Sequence, residues 1–366
     1  MKKKLFLALA LVLAFTMVFA ACGNSGGGSS DPAPAPAPAP APADTGDATD
    51  EEEFAATPEV TLILTQHDPD ASLPGKYCND WAEAVYQASK GRIKVEVHNG
   101  GDLAKPAESL DKVRDGSVDL AWGLQSFYGG QFPLTDGLSL PYLPYSDATH
   151  ASAVMMDIWE NTDLLDDEYK DVKVLLIRAN CDAPIITAGK KLEAAADLRG
   201  MTIRATAAPL VAWLGEFGAG AQGCPINELY QNLQQGTFNG ALTDWHGVDS
   251  FKLYEVAKFY ADEQVQYNTY YFLMNTGSYD KLSDENKAVI DSLSGQNALA
   301  INLDSWDELT AGTKATIEQN GGEVYKLSDD EHAKLVDAAD KVKTDWIAAN
   351  GDKGKALYDK ILELAS

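Results

Sequence analysis

Positive charge is scarce in this sequence: 29 lysines and arginines stand against 55 aspartates and glutamates, for a formal net charge of −26. A polyanion such as nucleic acid needs a basic face, and no stretch of the chain offers one, so nucleic acid is excluded as a partner. The same field repels anionic ligands at long range, so any anion site must be built from a local cation sheltered from the overall charge. Cysteine is scarce too, with four in 366 residues. Apart from Cys22 there are Cys78, Cys181 and Cys224. Three cannot all pair within one chain, and none lies in a C-x-x-C or His-flanked cluster, so neither a zinc site nor a disulfide framework is indicated. Buried thiols are the default, and Cys181 with Cys224 is the one pairing left open. Catalytic signatures are missing as well: there is no H-E-x-x-H pair, no Walker phosphate loop and no nucleophile elbow between a strand and a helix. The group Asp244, His246 and Asp249 in "DWHGVD" reads as an acid-base or metal cluster, but without a second patch of ligands. No cofactor and no metal is expected.

What is present begins with Lys2, Lys3 and Lys4, an apolar run from Leu5 to Ala21, and small residues just before Cys22. That is the pattern of a secretory signal over residues 1–21 rather than of a lasting membrane span. Small residues leading directly into a cysteine resemble the lipobox of bacterial lipoproteins. The resemblance implies cleavage before Cys22 and a lipid on its new N-terminus, which would hold the protein at the outer face of the cell membrane. Residues 22–57, with "DPAPAPAPAPAPAD" at their centre, lack the apolar side chains that offset backbone ordering entropy. They read as a disordered tether, and the Pro-Ala alternation favours an extended, semi-stiff path.

Beyond the tether, β-rich runs alternate with amphipathic helical ones, the pattern of α/β layers with a mostly parallel sheet. The strand "EVTLILTQ", the helix "KYCNDWAEAVYQASKG", the strand "RIKVEVHN", the helix "PAESLDKVRDG" and the strand "SVDLAWGL" follow in order. A second cycle runs from "VKVLLIRAN" and "APIITAGK" through "MTIRAT" and "APLVAWLGEFGA" to "NELYQNLQQGTFNGALTDW". The two cycles echo each other. Each has a helix closed by glycine (Gly116, Gly236), an acid or amide three residues on (Asp119, Asn239), and a tryptophan near the far end of the strand (Trp122, Trp245). Two lobes of one architecture facing each other are expected. From Ser283 the chain is mainly helical; Ser328 and Glu331 form a capping box, and the run 296–320 is long enough to cross between lobes as a strut.

One cation stands out. Arg204, in "MTIRAT", lies at the end of a strand just before a helix that begins near Pro209. Ligands of open parallel sheets bind outside the carboxyl ends of strands, and a guanidinium there can fork onto a carboxylate while the helix N-terminus adds a favourable dipole. An arginine paired with an acid of its own lobe, or exposed at a strand edge, is the competing reading.

From Val60 to about Lys281 the order and spacing of these pieces resemble the extracytoplasmic solute-binding proteins of tripartite ATP-independent periplasmic (TRAP) transporters, the C4-dicarboxylate-binding type. The pieces are "WAEAVYQASKGRIKVEVHNGGDLAKPAESLDKVRDGSVDLAW", "FPLTDGLSLPYL", "AADLRGMTIRAT", "NELYQNLQQGTFNGALTDW", "YEVAKFY" and "YDKLSDENKAVIDSL". The resemblance implies a periplasmic-binding-protein-like α/β fold of two lobes with a cleft, crossing strands and a long connecting helix. Lobe I would take residues 58–181 and 270–309, and lobe II residues 182–269 and 310–366. It puts Arg204 at the position of the family's carboxylate clamp, and Gln66, His67, Gln125 and the group Thr243, Asp244 and Trp245 in the cleft. Many family members have a Glu-Asn-Pro-like segment where this chain has "LTDW", and Asp244 beside the clamp would repel a second carboxylate but accept a hydroxyl or ammonium. A hydroxy or amino acid fits better than a simple dicarboxylate. Trp245 either packs on the ligand's carbon skeleton or is an ordinary core tryptophan, and Arg178 is either a second cation or half of a hinge-strand ion pair. The function implied is capture of a small organic acid and its delivery to TRAP membrane permease subunits driven by ions, without chemistry on the ligand. A receptor for an ATP-driven importer and a surface lipoprotein enzyme are the alternatives.

Overall fold

The computed structural model describes residues 54–366; the signal segment, Cys22 and most of the tether lie outside the described residues. The tether ends a few residues sooner than expected. The Phe54 ring already lies 5.7 Å from that of Tyr86, and the Ala55 N–H donates to the Lys90 carbonyl at 2.8 Å.

In chain order the first lobe holds β1 (Val60–Thr65), α1 (Leu73–Ala88), β2 (Ile93–His98), α2 (Ser109–Asp115), β3 (Leu120–Leu124), α3 (Ala148–Asn161), α4 (Asp166–Tyr169) and β4 (Val172–Asp182). The second holds β5 (Ile185–Thr187), β6 (Thr202–Arg204), α5 (Ala208–Glu216), β7 (Gly220–Gln222), α6 (Ile226–Gln234), β8 (Gly240–Leu242), α7 (Trp245–Ser250) and β9 (Phe259–Ala261). The chain returns through β10 (Tyr267–Asn275), α8 (Thr276–Asp280), α9 (Asp284–Ser292) and α10 (Gln296–Leu299), and closes with α11 (Ser305–Gln319), β11 (Glu323–Tyr325) and α12 (Asp329–Leu364).

Two mixed sheets result, ordered β2-β1-β3-β10-β4 and β11-β9-β5-β8-β6-β7. The chain changes sheet twice within a few residues, between β4 and β5 and again between β9 and β10. The crossing points therefore lie at residues 183–184 and 262–266, so β4 keeps Asp182 and β10 takes in Tyr267 to Thr269, which moves both lobe boundaries slightly from those expected. The two long strands that make the crossings pair antiparallel with each other in the first sheet.

The expected echo between the cycles is present at atomic detail. Gly116 and Gly236 end their helices at φ +78° and +74°, a conformation open to glycine because it has no Cβ to clash. Asp119 then donates its N–H to the Ile63 carbonyl at 3.0 Å and accepts from the Ile63 N–H on Oδ2 at 2.8 Å. Asn239 does the same with Thr202 of β6, at 2.8 Å and 2.7 Å. The polar side chain thus pins the entry of β3 beside β1, and of β8 beside β6, in parallel register. The echo ends there: Trp122 lies within β3, whereas Trp245 opens α7.

The run 296–320 does touch both lobes, Trp306 lying against Trp122 of β3 and His246 of α7 and Asp307 accepting from the Ala148 and Thr149 N–H groups of α3, but it is not one continuous helix. That run is interrupted between α10 and α11, with Asn302 at φ +53°, a conformation that breaks a right-handed helix. The lobes are also spanned by α12, whose Leu335 carbonyl accepts from Trp213 Nε1 of α5 at 3.0 Å. Further along, Trp346 Nε1 donates to the Pro133 carbonyl of the first lobe at 2.9 Å, and the Trp346 ring lies so close to Gly137 that any Cβ there would overlap it. Residues 329–366 therefore belong to both lobes, not to the second alone. Gly351, at φ +59° and ψ −141°, bends α12 beyond this point. Ser328 caps it by accepting from the Glu331 N–H, but the Glu331 carboxylate accepts from Ala195 N–H at 2.9 Å, so it reaches another segment rather than completing a capping box.

Candidate functional site

The carboxyl ends of β1 and β3 in one sheet and of β6 and β8 in the other point at a common chamber. His67, Asp68, Leu124 and Phe127 line it from the first lobe; Arg204, Thr243, Asp244 and His246 line it from the second; Asn268 and Tyr270 of the returning strand form its back. Its enclosed space is about 20 Å³, room for little more than one water. His67, Phe127, Ile226 and Phe251 also line a groove of about 840 Å³ outside it. They form the neck between the two spaces, so a ligand body larger than a few atoms requires the lobes to part.

Arg204 is 4% exposed. Its Nε and Nη2 donate to the Cys224 carbonyl at 3.3 and 3.2 Å, and Nη1 to the Leu242 carbonyl at 3.5 Å. Among the described residues no carboxylate bonds to it. Three of a guanidinium's five N–H groups are thus held by carbonyls, which orient the fork and leave two for an incoming acceptor. Burial lowers its pKa, and Cys224, Asp244 and Tyr270 oppose that fall.

Asp244 is the N-cap of α7. Its Oδ1 accepts from the Gly247 N–H and its Oδ2 from Asn268 Nδ2, both at 2.8 Å. Burial works to raise this carboxyl, but His246 and these donors hold it below its ordinary value. His246, on the first turn of α7, is 2% exposed. Its Nδ1 lies 3.3 Å from Asn180 Nδ2 and 3.7 Å from Asp244 Oδ1. Burial pulls its pKa down, but Asp68, Asp244 and Asp249 together raise it above the usual histidine value.

The expected site residues divide. Arg204, Thr243, Asp244 and His67 meet at the chamber, and the other four do not. Gln66 is consumed locally: Nε2 donates to the Asp68 carbonyl at 2.6 Å and to Asn99 Oδ1 at 2.5 Å, while Oε1 accepts from the Asp68 N–H at 2.6 Å. It holds the turn that presents His67 and Asp68. Gln125 is buried inside the first lobe, with both amide atoms lacking a hydrogen-bond partner; near it, burial and Glu168 push the Asp136 carboxyl up to about 7. Trp245 turns into the core, because as the first residue of α7 it points opposite the cap. Its Nε1 donates to Asp182 Oδ2 at 3.0 Å, and its ring stacks on Tyr260 at 6.1 Å. Arg178 has neither a ligand-facing position nor an ion pair. It is fully buried on β4 with its Cζ 4.1 Å over the Trp306 ring, and Nη1 and Nη2 have no hydrogen-bond partner. Cys181 and Cys224 are both free, and Cys181 Sγ donates to the Trp306 carbonyl at 3.2 Å.

Asp68, Asn268 and Tyr270 were not expected at the site. Asp68 carried the same signal as Arg204, a charge just past a strand end. Asn268 and Tyr270 alternate along β10, but that strand is buried on both faces, so alternation reveals no outward side. Residues 218–223 have G-x-G-x-x-G spacing, yet they enclose the second sheet's edge strand β7 rather than a turn from a strand into a helix, which a dinucleotide loop requires. Among the described residues no group of three or more His, Cys, Asp or Glu is placed to hold a metal ion.

Comparison with known proteins agrees with this architecture. Residues 65–349 match the family described as bacterial extracellular solute-binding protein, family 7. A TRAP solute-binding protein from a marine metagenome, described as specific for aromatic acid ligands and solved with 3-hydroxybenzoate, is 30% identical with a TM-score of 0.78, covering 84% of this chain and 98% of that one. A TRAP solute-binding protein from Rhodoferax ferrireducens, solved with copurified benzoate, is 25% identical with a TM-score of 0.78, covering 84% and 97%. A solute-binding protein of Albidiferax ferrireducens is 27% identical over 292 residues, 76% of this chain and 82% of the relative. The chain belongs to extracellular solute-binding protein family 7, as a TRAP-transporter solute-binding protein of the two-lobed α/β fold.

Proposed function

We propose that this receptor captures a small organic carboxylate by closing its two lobes around Arg204, and hands it unchanged to ion-coupled TRAP permease subunits. The observation that carries the reading is the state of Arg204: a buried cation at an interlobe chamber, oriented by two carbonyls, to which no carboxylate among the described residues bonds. In a water-poor chamber a forked guanidinium–carboxylate pair is much stronger than at a surface. The ligand body would extend toward the neck, where Phe127, Ile226 and Phe251 offer apolar and aromatic contact. The aromatic acids held by the two solved relatives above fit that division into a charged end and an apolar body. Closure follows from crossing strands and a helix that touches both lobes, a geometry suited to hinge motion. The receptor is anchored by lipid on Cys22, and the tether sets its distance from the membrane.

Mass spectrometry of small molecules released from purified protein tests this directly. The expected result is a carboxylic acid that is released from the wild type and absent from Arg204→Ala. A released compound without a carboxylate, or equal retention by the variant, contradicts the reading. For the anchor, Cys22→Ala should move the protein from the membrane fraction to the soluble one; continued membrane association would contradict it.

A further inference from the structure

We propose that Asp68 and His246, which face each other from opposite lobes, hold a hydroxyl group of the ligand, so that the receptor selects a hydroxy acid over both its parent acid and its amino analogue. The inference rests on the carboxylate reading above and names the second group that the same chamber recognises.

Asp68 is 1% exposed, and among the described residues no donor bonds to its carboxylate; Oδ2 is buried without a partner. A buried carboxylate without donors is strongly disfavoured, so the site is built for a donor from outside the chain. Its neighbours stop short of that role. His67 Nε2 lies 3.6 Å from Oδ2 and His246 Nε2 lies 3.9 Å from Oδ1, both beyond hydrogen-bond reach. His246 Nε2 is itself buried and unpartnered, while its ring is held by Asn180 on the Nδ1 side, with Asp244 Oδ1 3.7 Å from that nitrogen, and packs near Trp306 at 6.0 Å. The unpartnered His246 Nε2 and the Asp68 Oδ1, to which no donor among the described residues bonds, thus face each other across the lobe boundary, 3.9 Å apart. One oxygen at about 2.8 Å from each would close that gap.

The chemistry of that atom follows from what each side offers. Asp68 only accepts. His246 Nε2 donates both in the protonated ring that the surrounding acids favour and in the neutral ring whose Nδ1 accepts from Asn180 Nδ2. A hydroxyl does both tasks at once, donating to Asp68 and accepting from His246. An ammonium only donates and would meet the imidazolium with like charge; a second carboxylate only accepts and would meet Asp68. Because Asp68 follows β1 and His246 sits on α7, the bridging hydroxyl also ties one lobe to the other in the closed state.

The test is competitive retention from an equimolar mixture of lactate, propionate and alanine; mandelate, phenylacetate and phenylglycine; and 3-hydroxybenzoate and benzoate, read by mass spectrometry and followed by calorimetry on the retained acids. The wild type is expected to prefer a hydroxy acid over its parent by at least about tenfold, the effect of leaving a buried polar pair unmet. Amino analogues should bind more weakly still. Asp68→Asn, and separately His246→Gln, should bring the ratio of hydroxy acid to parent within about threefold, with the urea midpoint of each variant reporting whether the fold is kept. Equal binding of parent and hydroxy acid, as a retained bridging water would give, overturns the proposal, as does preference for an amino analogue. So does a ratio that survives in both variants. Retention of no acid at all contradicts the carboxylate reading together with this one, whereas retention of the parent acids contradicts this one alone.

Discussion

Two arginines of this protein are almost equally hidden from solvent, Arg178 at 0% and Arg204 at 4% exposure, yet they have opposite surroundings. Arg204 ends a strand at the mouth between two sheets, and carbonyls aim its guanidinium into a chamber. Arg178 lies mid-strand in β4, with Trp306 against one face and two nitrogens unmet; burial pulls its pKa down to about 10. The difference teaches that burial of a charge does not by itself make a binding site. What distinguishes Arg204 is orientation toward a space that a ligand can enter.

Mutation should separate the two. Arg204→Ala is expected to weaken binding of the native acid by about 3 kcal/mol, on the order of 100-fold, as removal of one partner of a desolvated charge pair does, with little change in urea midpoint. Arg178→Met should do the reverse. Ligand affinity should stay within about twofold, while stability is unchanged or rises by about 1–3 kcal/mol, because a hydrophobe replaces a buried cation without an acid partner. Loss of binding in the methionine variant, measured by calorimetry, would erase the distinction.

The same contrast extends to carboxylates and tryptophans. Asp136, half-buried beside Glu168 in the first lobe, is pushed up to about 7 from an ordinary 3.8 by burial and by Glu168. The folded state therefore holds its proton more tightly than the unfolded one, and stability should be greatest below pH 4 for this group and fall as pH rises from about 4 to 7. Asp136→Asn should remove that slope and add about 1 kcal/mol at neutral pH, read from denaturant midpoints across the range. Trp245→Phe is the smallest effect. It should cost about 1 kcal/mol of stability through the lost bond to Asp182 and leave ligand affinity within about twofold, in contrast to what a ring stacked on the ligand would show.

Much of this was legible in the sequence, for reasons that particular residues make plain. Strand–helix alternation, glycine stops and the matched Asp119 and Asn239 are local signals, and local signals survive into the fold. The place of Arg204 at the chamber was legible because it follows from its position at a strand end. The misread residues depend on their partners. Gln66 and Trp245 sit within one residue of chamber groups, but Gln66 is taken up by the turn it holds and Trp245 by its bond to Asp182, contacts that the sequence does not show. The break in the run 296–320 was not legible because the sequence there carries no proline and one internal glycine, whereas the left-handed turn falls on Asn302.

The most direct test of the central claim is a calorimetric cycle with the native acid and its primary amide, on the wild type and on Arg204→Ala. The wild type should bind the acid at least about 100-fold more tightly than the amide, and the variant should bind the two nearly alike. Equal affinity of the wild type for acid and amide, or an undiminished preference for the acid in the variant, would contradict the account.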